Sequence, residues 1–205
     1  MMLNGLFAGV AASRKGLPLG RDPFAASLLL TGGRVTLRPL QVSDTDTMFA
    51  YASDPEVTRF LPWEPAADCE SVRPFLHEQV GRRVRHESLG LAILLGKTGE
   101  MIGSTDLMDL KRTRGEAELG YLLARPYWGQ GLMTEAAKLT LEHGFHRLRL
   151  MRILAYADAE NQGSRRVLEK IGMHVWGTEI RSVHNEDRPY VRYEIRRAHW
   201  LAYQK

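Results

Sequence analysis

The sequence predicts a single α/β domain, and three observations support this. The chain has 205 residues, enough for one domain with a substantial core but few for two. Segments with the two-residue period of strands are interspersed with segments of helical period. A loop with two glycines, at residues 127–131, stands directly between one predicted strand and one predicted helix. We therefore expect a sheet that packs against helices.

The N-terminal part of the domain is predicted to contain one strand and two helices. Residues 34–40 (RVTLRPL) alternate between apolar and polar side chains, as a half-buried strand does. Ser43 and Asp46 resemble a capping box, which predicts that a helix follows. A second helix is predicted over residues 68–85, with an interruption or kink at Pro74 because proline removes one backbone donor.

The middle of the chain is predicted to form three consecutive strands. Residues 89–95 are almost continuously apolar, which predicts burial on both faces. A turn at residues 96–99 leads into a second strand at 101–108, and a third follows at 116–123. The remaining predicted elements are a helix at 134–147, a strand at 153–157, a helix at 163–171 that ends at Gly172, and strands at 175–182 and 189–196.

Composition argues against several classes of protein. No uninterrupted apolar stretch approaches the ~18 residues of a membrane span, so we do not expect a membrane protein. The only cysteine, Cys69, rules out an internal disulfide and fits a reducing compartment, which predicts a cytoplasmic location. His143 and His146 have the spacing of a shared helix face, but no third ligand is evident, so we expect no metal.

The net charge of +4 raises the question of a nucleic-acid partner. Basic residues cluster at 82–85, 111–114 and 147–152. These clusters have no recurring aromatic interleave and no recognisable DNA-reading motif. We interpret them as solvated helix faces and loops that help to steer a polyanionic cofactor, and we do not expect nucleic-acid binding.

Residues 1–30 differ in composition from the rest of the chain. They are rich in glycine and alanine, and no acidic residue precedes Asp22. Arg14 and Lys15 follow an apolar run instead of preceding it, which argues against an export signal. The alternatives are an organellar transit peptide, a loosely attached tail and an upstream-misassigned start, and we favour the last two over the transit peptide. The domain proper is then expected at residues 31–205.

The glycine loop and the helix start that follows it, residues 127–136 (YWGQGLMTEA), are the most informative segment. Gly129 and Gly131 tolerate positive φ and have no Cβ, so the backbone can turn tightly and approach a ligand closely. The first N–H groups of the following helix have no internal partners, and the helix dipole adds partial positive charge there. This combination predicts phosphate binding through backbone N–H groups.

Three segments, taken in order, carry a resemblance to a known family. They are residues 117–121 (AELGY), the segment 127–136, and residues 161–173 (NQGSRRVLEKIGM). Together they make the chain similar to the GNAT superfamily of N-acetyltransferases, specifically its RimJ/RimL-like branch, over about residues 31–200. The resemblance implies a mixed, mostly antiparallel, splayed sheet flanked by helices, with acetyl-CoA as the acyl donor.

The resemblance also implies which residues contact the cofactor. The pyrophosphate of coenzyme A would lie on backbone N–H groups at the helix start, and the pantetheine arm would pair with the strand at 116–123. The residues concerned are Gln130, Gly131, Leu132, Met133 and Thr134 for the pyrophosphate, and Leu119, Tyr121 and Leu123 for the pantetheine arm. The Thr134 hydroxyl is a further candidate contact. Asn161 would hydrogen-bond the pantetheine arm, a role compatible with the helix cap that asparagine favours.

The chain departs from the family pattern at two positions. Many members carry glutamine or arginine where Pro126 stands, and proline donates no N–H, so later N–H groups must form the phosphate site. Many members also carry a tyrosine, acting as general acid toward the leaving thiolate, at the position of Leu168. The branch resemblance suggests Ser164 as the replacement acid, with helix capping as the alternative role.

The implied reaction is direct attack of a primary amine on the thioester in a ternary complex, which needs a base to deprotonate the amine. Glu118 is the candidate base, because the family carries a carboxylate at this place in the strand. Strand alternation puts Glu116 on the same face, as a second candidate for the base and for acceptor contact. A backbone N–H within residues 119–121 would stabilise the oxyanion.

The acceptor is the least determined part of the prediction. Trp63 falls in the acceptor-side loop of the family, where it either lines the acceptor pocket or anchors the loop in the core. A protein N-terminus, a small amine and an aminoglycoside-like antibiotic are the acceptor classes left open, for a protein expected to be a monomer or homodimer. The alternative function is a non-catalytic acyl-CoA-binding or regulatory module, which the absence of a tyrosine at Leu168 favours.

Overall fold

Eight strands form one sheet in the computed structural model, which describes residues 22–184 and 186–203. The strands are, in chain order, β1 (Leu30–Thr31), β2 (Val35–Pro39), β3 (Leu89–Leu95), β4 (Met101–Lys111), β5 (Glu116–Leu123), β6 (Arg152–Asp158), β7 (His174–Val183) and β8 (Glu186–Arg196). Their order across the sheet is β1-β2-β3-β4-β5-β6-β8-β7. Every neighbouring pair is antiparallel except β5 and β6, which are parallel. The predicted mixed, mostly antiparallel sheet is confirmed.

Helices cover both faces of this sheet. They are α1 (Thr45–Ala52), α2 (Pro55–Thr58), α3 (Cys69–Val84), α4 (Leu132–His146), α5 (Gln162–Lys170) and α6 (Arg197–Tyr203). The larger apolar core lies between the sheet and α4, α5 and α6, where Phe145, Leu168 and Trp200 are buried. A smaller core lies on the other face, where Met48 of α1 and Leu76 of α3 pack against the sheet.

Local side-chain contacts explain where the first helices begin. The predicted capping pair of Ser43 and Asp46 is wrong, because the carboxylate that accepts the Gln41 N–H (2.9 Å) is that of Asp44, at the end of a 3₁₀ turn before α1. The N-terminus of α3 is capped by Asp68, which accepts the Ser71 N–H at 2.8 Å. Elsewhere β3 and β5 have their predicted bounds, whereas the short helices α2 and α6 were not predicted.

A helix was predicted to be interrupted at Pro74 and a strand to begin at Pro189, but both prolines lie inside their elements. Pro74 lies inside α3, and the helix continues to Val84 without a break. Strand β8 begins three residues before Pro189, which pairs with Ile180 of β7. The last residue pair between β6 and β8 is Asp158 with Tyr190, so Pro189 lies just beyond the part of β8 that pairs with β6. Because proline has no N–H, it is tolerated at this position, where no ladder hydrogen bond to β6 is lost.

The described residues before β1 already contact the domain. Phe24 is buried in the larger core and its ring stacks on His86 with centroids 4.2 Å apart. The Pro23 carbonyl is hydrogen-bonded to Nε2 of His143 at 3.0 Å. The predicted loosely attached tail otherwise falls on residues 1–21, which lie outside the described residues, and the boundary at residue 30 stays a prediction.

The sheet opens between β5 and β6. These strands pair at only three positions, from Glu116 opposite Arg152 to Glu118 opposite Leu154. Beyond Glu118, β5 continues beside β4 and β6 continues beside β8. We call the resulting gap between β5 and β6 the splay. The structure thereby confirms the splayed sheet that the family resemblance implied.

The backbone of β5 alternates between β4 and the splay. The N–H of Ala124, just after β5, donates to the Ile102 carbonyl of β4 at 2.9 Å. Alternate residues of an antiparallel strand turn their N–H and C=O groups to opposite sides. Leu119, Tyr121 and Leu123 therefore turn their backbone polar groups away from β4 and toward the splay.

A carboxyl group on β4 is shielded from solvent on the α3 side of the sheet. Asp106 lies opposite Gly90 of β3, at a point where a side chain on Gly90 would meet Gln79 of α3. The Asp106 Oδ1 atom has no hydrogen-bond partner among the described residues, although the residue as a whole is partly exposed. Burial raises the pKa of Asp106 to about 7, and the charge of Arg82 only partly opposes this.

The substitution Asp106→Asn is expected to stabilise the protein at pH 8. The pKa of Asp106 is higher in the folded state than its ordinary value of 3.8. Its contribution to stability is therefore lost as the pH rises from about 4 to about 7, and the loss stays constant above that range. We expect D106N to recover on the order of 2 kcal/mol at pH 8 and much less at pH 4.5, measured by urea unfolding.

The matched control for this prediction is D109N. Asp109 is an exposed carboxylate on the same strand that forms an ion pair with Arg82 at 3.1 Å. This variant is expected to show no gain in stability at pH 8, because an exposed carboxylate has no burial penalty to relieve. A D106N protein with the same stability as the unaltered chain at pH 8 would contradict the assignment.

Candidate active site

The glycine loop leads directly into the N-terminus of α4. Gly129 and Gly131 have φ angles of 74° and 75°, in the left-handed region that favours glycine. The indole N–H of Trp128 donates to the Leu123 carbonyl at 2.7 Å and fastens the loop to the end of β5. No side chain caps the helix start after Gly131, so the first N–H groups of α4 have no partner within the helix. These groups belong to Leu132, Met133 and Thr134.

Pro126 lies at the beginning of the loop, before both glycines. It is the middle residue of a 3₁₀ turn, Arg125–Tyr127, that precedes both glycines. Its carbonyl accepts a hydrogen bond from the Gln130 side chain at 2.9 Å, which closes the loop on itself. The N–H that proline lacks is therefore not one of those at the helix start.

Leu119, Tyr121 and Leu123 of β5 line the splay with their backbone groups. The Leu123 carbonyl is already occupied by the Trp128 indole. The side chains of Leu119 and Leu123 are buried in the larger core. Leu119 follows Glu118, the last residue that pairs with β6, so its N–H is used in the parallel ladder to Leu154. The part of the β5 edge that is available to an extended chain therefore consists of the Leu119 carbonyl and the backbone groups of Tyr121.

Tyr121, Ser164 and Asn161 form one hydrogen-bonded group across the splay. The Tyr121 hydroxyl lies 2.9 Å from the Ser164 Oγ atom and also donates to the Ser164 carbonyl at 3.1 Å. The Asn161 side-chain oxygen accepts the Ser164 N–H at 3.0 Å, which is the helix cap given as its alternative role. Burial raises the pKa of Tyr121, so this phenol keeps its proton. The sequence reasoning assigned Tyr121 only a backbone role and missed its hydroxyl.

Glu116 and Glu118 lie on one face of β5, as predicted, but in different surroundings. Glu116 forms an ion pair with Arg152 at 2.9 Å, and Arg152 also contacts Glu194 at 3.3 Å. Glu118 has no hydrogen bond or ion pair with any described residue. Burial raises the pKa of Glu118, and the charge of Arg181 opposes this rise. Glu118 is also the last residue of β5 that pairs with β6, so it stands where the splay begins.

Two further side chains lie near Glu118 that the sequence reasoning did not select. Tyr156 follows Leu154, the partner of Glu118, by two residues on β6 and therefore points to the same face. The Arg181 guanidinium lies 3.8 Å from the Tyr156 ring centroid and bonds Glu179 through Nε at 2.5 Å. The alternation of side chains along β6 predicts the face of the sheet on which Tyr156 lies. Arg181 is on β7, and only the strand order of the folded sheet brings it to Tyr156.

Trp63 belongs to a loop that is held by the hairpin of β7 and β8. His184 contacts the Leu61 carbonyl at 2.9 Å, and the Tyr190 hydroxyl donates to the Phe60 carbonyl at 3.2 Å. The Trp63 side chain itself is 41% exposed, so the alternative in which it anchors the loop in the core is wrong. Its role in lining an acceptor pocket stays a prediction.

Two other candidate positions have structural roles. Leu168 is almost completely buried in the larger core. Burial lowers the pKa of His143, which is hydrogen-bonded to the Pro23 carbonyl. Within residues 22–184 and 186–203, no three His, Cys, Asp or Glu side chains are grouped so as to hold a metal ion.

Comparisons with known proteins match this architecture. The family model of the acetyltransferase (GNAT) domain matches residues 34–174. An uncharacterized N-acetyltransferase of Bacillus licheniformis is 31% identical over 144 residues, which are 70% of this chain and 81% of that protein. Spermidine N(1)-acetyltransferase of Escherichia coli is 28% identical over 147 residues, 70% of this chain and 74% of that protein. The crystal structure of a GNAT-family acetyltransferase from Bacillus anthracis superposes with a TM-score of 0.75 at 26% identity, covering 83% of this chain and 99% of that one.

Proposed function

The chain belongs to the GNAT family of acetyltransferases and uses acetyl-CoA, and we propose that it transfers the acetyl group to a primary amine by direct attack in a ternary complex. One observation carries the proposal. Glu118 is a partly buried carboxylate without a partner among the described residues, and it stands where β5 and β6 separate. A carboxylate in that position is available to take a proton from an amine that reaches a thioester in the splay.

The proposed cofactor site combines the loop and the open strand. Backbone N–H groups at the start of α4 receive the diphosphate, and the positive end of the helix dipole favours its charge. The residues concerned are Gln130, Gly131, Leu132, Met133 and Thr134. The pantetheine arm pairs with the Leu119 carbonyl and the backbone groups of Tyr121, and the Asn161 side-chain amide, whose oxygen caps α5, donates to the arm.

The proposed chemistry starts with proton removal. Glu118 takes a proton from the ammonium group, and its raised pKa makes it a stronger base than an ordinary carboxylate. The neutral amine then attacks the thioester carbonyl carbon and forms the C–N bond, while the backbone N–H of Tyr121, which faces the splay, stabilises the oxyanion. The C–S bond breaks as the leaving thiolate takes the proton of Ser164, which the Tyr121 hydroxyl contacts. The second proton of the nitrogen restores the Ser164 hydroxyl, and Glu118 releases the first proton to solvent, so that the amide, the free thiol and one proton are the products.

The charged residues around Glu118 indicate which class of acceptor the site favours. Arg181 and Lys111 lower the pKa of Glu118, whereas Asp109 and Glu179 raise it, so the surroundings carry both signs. Such a site does not select a polycation by charge alone. Trp63 offers an exposed aromatic surface on the neighbouring loop. We propose a protein N-terminus or a small mono-amine as the acceptor, in line with the RimJ/RimL-like branch, ahead of polyamines such as the substrate named for the Escherichia coli relative.

A non-catalytic acyl-CoA-binding module is the second candidate function. The observation that favours it is Leu168, a buried apolar side chain where many family members carry the tyrosine acid. Release of free thiol from acetyl-CoA across a panel of amines separates the two functions. Turnover with any amine supports the enzyme, whereas binding without turnover on every amine supports the module.

The setting of the protein is also a proposal. None of the helices in the described part of the chain is long and apolar enough to cross a membrane. The free thiol of Cys69 fits a reducing compartment, and we place the protein in the cytoplasm as a monomer or homodimer.

The base assignment predicts different results for the two glutamates of β5. E118Q is expected to lower kcat/KM by about 100-fold or more, because the amine loses its proton acceptor. The acidic limb of the pH–rate profile, where activity rises as Glu118 loses its proton above the ordinary carboxyl pKa, is expected to disappear with it. E116Q is expected to keep that limb and to lower Tm, because it breaks the ion pair with Arg152. An unchanged pH profile in E118Q would show that another group is the base.

The phosphate site predicts different results for two glycines with the same backbone strain. Gly129 and Gly99 have φ angles of 74° and 73°, and a Cβ at either position meets no atom within 4 Å. G129A and G99A are each expected to cost about 1 kcal/mol of stability from the left-handed backbone. Only G129A is expected to weaken acetyl-CoA binding in calorimetry, because only that loop approaches the diphosphate. Equal acetyl-CoA affinities in the two variants would place the diphosphate elsewhere.

A further inference from the structure

Arg34, the residue before β2, reaches across to the glycine loop. Its Nη1 atom donates to the Gln130 carbonyl at 2.8 Å, and its Nε atom donates to the Glu135 carboxylate at 2.9 Å. The backbone N–H of Arg34 also donates to Glu135, at 2.6 Å, and that of Val35 does so at 3.3 Å. The beginning of β2 is thus bonded to both ends of the turn that opens α4.

The Nη2 nitrogen of the Arg34 guanidinium is not used by the bonds to Gln130 and Glu135. Nη2 lies 3.5 Å from the point where a Cβ on Gly131 would stand, so it lies against the loop. Nη2 has no hydrogen-bond partner among the described residues, and the Arg34 side chain is 55% exposed. A planar guanidinium with one free edge can donate to phosphate oxygens while its other nitrogens stay bonded to the protein.

The charge of Glu135 makes this cation important for the proposed phosphate site. Glu135 lies in the first turn of α4, beside the N–H groups of the helix start. Partial burial opposes ionisation, but the N–H groups and guanidinium of Arg34 outweigh it and lower the pKa of Glu135. Without Arg34 an ionised carboxylate would stand next to the diphosphate and repel it. The ion pair at 2.9 Å cancels that charge.

We propose that Arg34 binds the diphosphate of the acyl donor through Nη2, and so supplies, from the residue before β2, the cation that the loop lacks at Pro126. This inference rests on the proposed function, since it concerns the same cofactor site. It assigns different roles to the two partners of the ion pair. Arg34 contacts the ligand, whereas Glu135 orients Arg34 and holds the start of β2.

The test is calorimetric titration of four proteins with CoA and with dephospho-CoA, which keeps the diphosphate but lacks the 3′-phosphate. The proteins are the unaltered chain, R34Q, E135Q and the control R73Q. Arg73 forms an exposed ion pair with Glu70 on α3, so R73Q makes the same charge change outside the site. E135Q retains an oxygen that can accept the N–H groups of Arg34 and Val35, and unfolding temperatures establish that each variant is folded.

We expect R34Q to bind both ligands roughly tenfold or more weakly, because a charge-assisted hydrogen bond to phosphate is lost. E135Q is expected to bind at least as tightly as the unaltered chain, and R73Q to match it. R34Q affinities equal to those of the unaltered chain would overturn the inference. A loss of affinity in E135Q as large as that in R34Q would also overturn it, because the ion pair would then only shape the loop. A loss of affinity in R34Q for CoA but not for dephospho-CoA would overturn it as well, because Arg34 would then contact the 3′-phosphate. No binding by the unaltered chain would instead overturn the proposed function itself.

Discussion

The separation of β5 from β6 after Glu118 is the constraint on which the rest of the site depends. Parallel neighbours cannot be joined by a tight turn, so the chain must cross over through a helix before it returns. That helix is α4, and its N-terminus consequently lies at the end of β5 where the splay is open. One topological feature therefore brings together an unpaired strand edge, a set of free helix N–H groups and a carboxylate.

The same separation divides the polar groups around the splay into structural and free ones. Where β5 and β6 still pair, Glu116 and Arg152 are opposite each other and form an ion pair. Two residues further on, Glu118 faces an apolar neighbour, Leu154, and keeps no partner among the described residues. Ionic pairing thus stabilises the closed end of the strand pair, while the open end retains a group that can exchange a proton. Two chemically identical side chains on one face acquire different properties from their cross-strand partners.

The sequence was sufficient for the elements and for the local chemistry of the loop, but not for contacts between distant segments. The bounds of β5 and the positive φ of both loop glycines follow from short-range patterns that any single segment contains. The contacts of Arg34 with Glu135 and of Tyr121 with Ser164 join residues far apart in the chain, so they depend on strand order and not on spacing. Trp63 shows the same limit, because an aromatic residue in a loop has no periodic neighbours that indicate whether it is buried. The capping residue of α1 was misplaced because several polar residues near it satisfy the same local pattern.

Residue-resolved amide hydrogen exchange, with and without CoA, tests most directly whether the acyl donor binds to the splay and to the glycine loop at the same time. Protection is expected at the N–H group of Tyr121, which faces the splay, and at those of residues 130–134. The turn at residues 96–99, on the far side of β4, is expected to exchange at the same rate in both states. Binding of CoA that leaves the exchange of residues 119–123 and 130–134 unchanged would contradict this arrangement.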